Sequence, residues 1–119
     1  MISILCVEKN DVQLEHLFAV ISSSIDNQKV LKLNEYNYKK IRTIKPDVVF
    51  MNYSQDAISL AKEIKNSKLE VTIIFIISDK LQAYDVMKVH AQGVILAPYS
   101  EEDIKEELTS LKMLTSKVH

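Results

Sequence analysis

The chain has 119 residues, of which 47% are hydrophobic and 26% are charged. This length and composition predict one globular domain that spans residues 1–119. The formal net charge is −1, so no overall positive field would draw the chain to nucleic acid or to an anionic membrane. Cys6 is the single cysteine, which excludes an internal disulfide and predicts a cytoplasmic protein.

Several classes of site are excluded by what the sequence lacks. It contains one glycine, whereas glycine-rich phosphate loops, dinucleotide fingerprints and nucleophile elbows each need several. The apolar run 71–77 is far shorter than the ~20 residues of a membrane-spanning helix, and residues 1–7 lack the basic leader of a signal peptide. His16, His90 and His119 are scattered without metal-ligand spacing. We therefore expect no metal site, no cofactor and no membrane segment.

Short apolar runs alternate along the chain with segments whose apolar residues recur every three or four positions. The apolar runs predict strands at 2–7, 30–33, 47–53, 71–77 and 93–97. The periodic segments predict helices at 11–25, 37–45, 54–66, 80–92 and from Ser100 onwards. The helix at 80–92 is poorly patterned. The last helix has Ser100 and Asp103 at capping-box spacing, and its predicted buried stripe comprises Ile104, Leu108, Leu111 and Leu114 or Thr115.

Strands that alternate with helices predict an α/β fold, (βα)5, with a parallel sheet covered by helices on both faces. Right-handed crossovers leave few topologies for such a chain. We predict a doubly wound five-stranded sheet with the strand order 2-1-3-4-5. Ligands of these sheets bind at the carboxyl edge, where the strand order reverses between strands 1 and 3.

Asn52 is the most informative residue at that predicted edge. It ends the run 46–52, in which a Pro-Asp pair leads into four apolar residues. An aspartate at this place could bind a cation or accept a phosphoryl group. An asparagine is neutral, a poor nucleophile and a poor ligand for a hard metal ion. The chain is therefore built like a phosphate-switched signalling domain without the atom that is switched.

The blocks 4–8, 46–52, 73–78 and 93–99 resemble, in order and spacing, those of response-regulator receiver (CheY-like) domains. The resemblance covers nearly the whole chain. It implies a flavodoxin-like fold and a role in two-component phosphorelay signal transduction. It also implies a sensor kinase or an attached output domain as partner, the output domain often binding DNA in transcription regulation.

The family holds Mg²⁺ with two acids after strand 1 and an aspartate that ends strand 3. A Ser or Thr ends strand 4, and a lysine precedes a proline after strand 5. The matching positions in this chain are Glu8, Lys9, Asn52, Ser78 and Ala97, followed by Pro98. Glu8 and Ser78 fit the pattern, whereas Lys9, Asn52 and Ala97 replace the second acid, the nucleophile and the cation. The aromatic switch position of strand 5 is Val94. The resemblance therefore implies a degenerate receiver with no catalytic residue, no metal and no enzymatic activity.

Lys9 allows two arrangements. Its ammonium group is either solvated or lies among Glu8, Asn52 and Asp11 as an internal counter-ion. In the second arrangement, a carboxylate introduced by Asn52→Asp would face Lys9 and form an ion pair, which would stabilise the fold.

Three functions compete. The first is a phosphorylation-independent signalling module that acts through protein contacts, with helix 4, strand 5 and helix 5 forming a possible homodimer face. The second is a receiver switched by a small ligand, or by another phosphoryl acceptor such as Asp56 or Asp79. The third is a small flavodoxin-like enzyme or phosphocarrier with Cys6 as its nucleophile, which needs an exposed thiol.

Overall fold

A computed structural model describes residues 2–26 and 28–114. Strands and helices alternate along these residues. The strands are β1 (Ser3–Val7), β2 (Lys29–Leu33), β3 (Val48–Asn52), β4 (Thr72–Ile77) and β5 (Gly93–Leu96). The helices are α1 (Asp11–Ser24), α2 (Tyr38–Ile44), α3 (Gln55–Asn66), α4 (Gln82–Lys88) and α5 (Glu101–Ser110). In the part of the chain that is described, none of the helices has both the length and the hydropathy to cross a membrane.

The five strands form one parallel sheet in the order β2-β1-β3-β4-β5. The predicted fold class is therefore confirmed. The order reverses between β1 and β3, where Val7 is paired with Met51. On the other side of β3, Asn52 is paired with Ile76 of β4. This register brings the residues at the carboxyl ends of β1, β3 and β4 to one edge of the sheet.

The core lies on both faces of the sheet. Alternate strand residues such as Leu5 and Val49 point to the face covered by α2, α3 and α4. Their neighbours, Cys6 and Phe50 among them, point to the face covered by α1 and α5. The strands read as continuous apolar runs because a parallel sheet of this kind is buried on both faces.

Side-chain caps set the starts of most helices. The side chains of Asn10, Asn37, Ser54 and Ser100 each accept a hydrogen bond from a backbone N–H in the first turn of the helix that follows. Ser100 and Asp103 form the predicted capping box. The predicted second and third helices begin one residue early because the cap itself was counted as helical. Boundaries of this kind shift by a residue or two between definitions.

The predicted bounds of α4 are wrong, because the helix is only seven residues long. The chain leaves it through His90, which adopts a left-handed conformation with φ of 57°. Gln92 then pairs with Ile73 of β4 twice: the Gln92 N–H donates to the Ile73 carbonyl at 3.0 Å, and the Ile73 N–H donates to Gln92 Oε1 at 2.8 Å. These bonds belong to the approach to β5, so residues 91–92 cannot remain helical.

The helix α5 also ends before its predicted buried stripe does. Ile104 and Leu108 are fully buried, as predicted. Leu111 and Leu114 pack partly against the same core from the turn that follows the helix. Thr115, the alternative end of the stripe, lies outside the described residues.

Candidate functional site

Glu8 directly follows β1 and is 6% exposed. Its Oε1 atom accepts a hydrogen bond from Asn52 Nδ2 at 3.0 Å, and its Oε2 atom accepts one from the Asn10 N–H at 2.7 Å. Asn10 is the N-cap of α1, so the buried carboxylate lies at the end of the helix that favours negative charge. The protein thus satisfies both oxygens of Glu8 with neutral donors.

Asn52 is the last residue of β3 and is partly buried. A carboxylate offers only acceptor oxygens, so the amide nitrogen of Asn52 is the atom that must face Glu8. An aspartate at this position would instead place a second acceptor against the first. Asparagine in place of aspartate at position 52 therefore supplies a hydrogen-bond donor to Glu8 as well as removing a nucleophile.

Lys9 lies on the solvent side of this pair. Its side chain is exposed, and it takes part in none of the ion pairs formed among residues 2–26 and 28–114. The interpretation of Lys9 as an internal counter-ion is therefore wrong, and the expected pairing of a carboxylate at position 52 with Lys9 has no structural basis. Lys9 lines a small cleft of about 360 Å³ together with Glu8, Tyr36 and Asp56.

The residues at this edge do not fit Mg²⁺. The ion prefers six oxygen ligands in near-octahedral geometry, several of them carboxylate or water. Among residues 2–26 and 28–114, Glu8 is the one carboxylate that forms a hydrogen bond with Asn52, and both of its oxygens already accept hydrogen bonds. No group of three or more His, Cys, Asp or Glu side chains among the described residues could hold a metal ion. The donor set of an acidic triad is thus missing.

A second and larger cleft, of about 540 Å³, opens at the ends of β3, β4 and β5. Asn52, Ser78 and Ala97 all line it, so three of the matching positions meet there. The Ser78 N–H donates to Gln82 Oε1 at 2.9 Å, and the Ser78 hydroxyl lies 3.5 Å from the same oxygen. Pro98 follows Ala97 through a cis peptide bond. With alanine at position 97, none of the described residues that line the cleft is a lysine or an arginine that could pair with a phosphoryl group.

Tyr53 connects this edge of the sheet to α4, and sequence reasoning did not find it. Its hydroxyl donates to Asp85 Oδ2 at 2.6 Å and accepts from Gln55 Nε2 at 3.2 Å. The hydrogen bond to Asp85 raises the pKa of Tyr53. Tyr53 and Asp85 are 32 positions apart, so no local pattern could have indicated the contact.

The alternative functions depend on Cys6 as a nucleophile and on Asp56 or Asp79 as phosphoryl acceptors. Cys6 is completely buried in β1, and burial raises the pKa of its thiol to about 12. A buried thiol of raised pKa is a poor nucleophile, so the enzyme interpretation lacks the exposed thiol that it requires. Asp56 and Asp79 are exposed. Asp79 Oδ1 accepts a hydrogen bond from the Leu81 N–H at 2.8 Å.

The sheet order β2-β1-β3-β4-β5 with a helix after each strand is that of the flavodoxin-like fold of CheY. No protein-family model and no curated protein matches the sequence. Solved structures do match it over nearly its whole length.

Three of these structures are receiver-type proteins. A DNA-binding response regulator of the LuxR family from Staphylococcus aureus is 16% identical, with a TM-score of 0.81 over 93% of this chain and 98% of that one. The REC domain of RcsB from Salmonella enterica serovar Typhimurium is 15% identical, with a TM-score of 0.79 over 98% and 94%. The chemotaxis protein CheY4 from Vibrio cholerae is 13% identical, with a TM-score of 0.75 over 97% and 99%. At these identities the likeness shows the fold, and the site must carry the functional argument.

Proposed function

We propose that this chain is an atypical receiver domain of two-component-type signal transduction that works without phosphorylation, through protein contacts and not as an enzyme. The observation that carries the proposal is the hydrogen bond from Asn52 Nδ2 to Glu8 Oε1 at 3.0 Å. It places a neutral amide at the position of the nucleophile and satisfies that oxygen of the Glu8 carboxylate without a metal ion. The likeness of the fold to that of receiver domains supports the signalling role.

The contact surface that we propose is formed by α4, β5 and α5, and is called the α4–β5–α5 face here. Leu81, Tyr84 and Met87, three positions apart, are 74%, 70% and 68% exposed, and Leu96 of β5 is 45% exposed. Apolar side chains this exposed, three of them at helical spacing on one side of α4, favour a partner surface. Their exposure also explains the poor pattern of α4, because Val86 on the opposite side is fully buried.

The charges on the α4–β5–α5 face favour a second copy of the chain as its occupant. Asp103, Glu106 and Glu107 line an acidic groove of about 410 Å³ between β5 and α5. Lys88 ends α4, and its side chain is exposed. In a two-fold dimer the same patch meets itself, so α4 of one protomer can place Lys88 against the acidic groove of its partner. A sensor kinase or an output domain remains the proposed partner in signalling.

Sedimentation equilibrium tests this surface with matched variants. Tyr84→Glu and Met87→Glu place a charge in the centre of the face and should shift a dimer to monomer. Val12→Glu is the control, because Val12 is 79% exposed on α1, which is not one of the three elements of the face. If the wild-type chain is a dimer and Val12→Glu weakens it as much as Tyr84→Glu does, the α4–β5–α5 face is not the interface.

Phosphorylation is tested directly with acetyl phosphate and Mg²⁺, followed by measurement of the intact mass. We expect no gain of a phosphoryl group. A stoichiometric gain mapped to Asp56 or Asp79 would instead establish the alternative acceptor.

Mg²⁺ should also leave the melting temperature unchanged. A ligand present at 100 times its dissociation constant adds about 2.7 kcal/mol to the free energy of unfolding, which would raise the melting temperature of a domain this size by several degrees.

A further inference from the structure

The cleft of about 540 Å³ at the ends of β3, β4 and β5 lies at the same sheet edge as the Glu8–Asn52 pair but is separate from the small cleft that Glu8 and Lys9 line. Its volume lies within the ~300–1,000 Å³ range of small-molecule sites. Ile76, Ile77 and Ala97 contribute apolar walls. The cleft is therefore large enough for a compound of one or two rings.

No Asp, Glu, Lys or Arg is among the described residues that line this cleft. The charged residues Glu8, Lys9 and Asp56 line the smaller cleft instead. Burial raises the pKa of Tyr99, which lines the larger cleft, to about 12, so its phenol stays neutral at physiological pH. A charged ligand would lose its hydration here without an Asp, Glu, Lys or Arg side chain among the described lining residues to pair with it, which is unfavourable.

Polar groups border the cleft on the side of β3, β4 and α4. Asn52 Nδ2 is engaged by Glu8, but Asn52 Oδ1 makes no hydrogen bond to another residue in the described ranges. The same holds for Gln82 Nε2, since Gln82 uses its Oε1 atom to accept from Ser78. The Asn52 acceptor and the Gln82 donor, both from primary amides, match a ligand that itself carries an amide.

An aromatic pair borders the cleft on the opposite side. The rings of His16 on α1 and Tyr99, which precedes α5, have centroids 5.6 Å apart at an interplanar angle of 56°. Both residues line the cleft. Aromatic rings favour offset or edge-to-face contact with another ring, so a flat, unsaturated ligand fits this wall better than a flexible aliphatic one.

We propose that this cleft binds an uncharged aromatic amide, with the amide at Asn52 and Gln82 and the ring against Tyr99. The proposal rests on the proposed function, because it gives the input to a receiver that has lost phosphorylation. Binding of such a ligand can affect the position of α4 through two side chains that line the cleft. Gln82 lies in the first turn of α4, and Tyr53 holds Asp85 of the same helix at 2.6 Å.

The test is titration of the isotope-labelled chain with benzamide and nicotinamide, followed by proton–nitrogen correlation spectra. Benzoate and benzamidine are the charged controls, because they keep the ring and change the charge of the substituent. We expect saturable shifts of the Asn52, Ser78 and Gln82 resonances with the uncharged amides, and affinities at least about 10-fold weaker for both charged compounds, a difference of about 1.4 kcal/mol.

Variants locate the site. Ala97→Phe fills the cleft and should abolish the shifts, whereas Leu96→Phe, the matched change at an exposed neighbouring position, should leave them intact. Gln82→Ala should weaken binding without filling the cleft, and serves if Ala97→Phe does not fold.

The proposal is overturned if neither uncharged amide gives a saturable shift, if benzoate or benzamidine binds as tightly as benzamide, or if Gln82→Ala and Ala97→Phe both bind like the wild type. None of these results bears on phosphorylation or on dimerisation. The ligand site and the proposed function can therefore fail separately.

Discussion

Asn52 Nδ2 donates to Glu8 Oε1 over 3.0 Å, across the point where the strand order of the sheet reverses. The two residues are 44 positions apart and meet because β1 and β3 are neighbours in the sheet. Their contact makes the switch point self-sufficient: the buried carboxylate of Glu8 needs neither Lys9 nor a metal ion to satisfy its oxygens. The consequences can be measured with single substitutions.

The change Asn52→Asp should destabilise the fold. It removes a donor and sets two carboxylates against each other in a partly buried place, which should cost about 1–3 kcal/mol of the free energy of unfolding at pH 7. Repulsion between the two facing carboxylates raises the pKa at which the pair takes up a proton. The loss of free energy of unfolding is therefore present above that pKa and is relieved as the pH falls through it. Urea unfolding at several pH values measures both effects.

Two further variants serve as controls for Asn52→Asp. Glu8→Gln in the Asn52→Asp background should recover most of the loss, because a neutral amide again faces a carboxylate. Lys9→Ala should change the free energy of unfolding by less than about 0.5 kcal/mol, as is usual at exposed positions. The prediction is contradicted if Asn52→Asp stabilises the fold and the added Lys9→Ala change removes that stabilisation. Such a result would mean that a carboxylate at position 52 forms an ion pair with Lys9.

Restoring phosphorylation should need several changes together. Asn52→Asp alone lacks the second acid and the lysine, so acetyl phosphate with Mg²⁺ should leave it unmodified. The triple variant Lys9→Asp, Asn52→Asp, Ala97→Lys should react measurably, with strongly non-additive effects because the three residues act as a unit. Phosphorylation rates across the single, double and triple variants decide the matter. A single variant that reacts as fast as the triple one would show that positions 9 and 97 do not limit the chemistry.

Cys6 should resist alkylation in the native state. Burial raises the pKa of its thiol from 9.0 to about 12, and the side chain is fully buried. Iodoacetamide at pH 8 should therefore modify Cys6 in the native chain only as fast as the chain unfolds. In urea, the same reagent should modify Cys6 rapidly. The raised pKa also makes the free energy of unfolding depend on pH. The contribution of the protonated Cys6 thiol is complete below pH 9 and is lost as the pH rises towards 12. Rapid native modification would contradict the burial of this residue.

The hydrogen bond between Tyr53 and Asp85 should hold α4 in place. Tyr53→Phe removes the hydroxyl alone, so amide hydrogen exchange should accelerate in α4 and remain unchanged in α1 and α5. Tyr84→Phe is the matched control, because Tyr84 is exposed on the same helix and its hydroxyl bonds to none of the described residues. Equal acceleration in both variants would mean that the Tyr53 hydroxyl does not anchor the helix.

The fold of this chain could be predicted from its sequence because the signals are local and repeated. Continuous apolar runs and helical stripes recur in strict alternation, and a parallel sheet with right-handed crossovers then allows few arrangements. Residue identity alone also determined what positions 52 and 97 lack, since no fold turns asparagine into a phosphoryl acceptor or alanine into a cation. One helix, α4, was misjudged because apolar residues on its exposed side, Tyr84 and Met87 among them, obscured its period.

Only the tertiary structure decided which side chains meet at the sheet edge. Glu8 pairs with Asn52 and not with Lys9, because a lysine side chain at an exposed position loses less hydration and less rotamer freedom by pointing into water. The Tyr53–Asp85 contact likewise joins residues 32 positions apart. Such choices depend on competing hydrogen bonds and burial across the whole fold, and no pattern within one segment of the sequence encodes them.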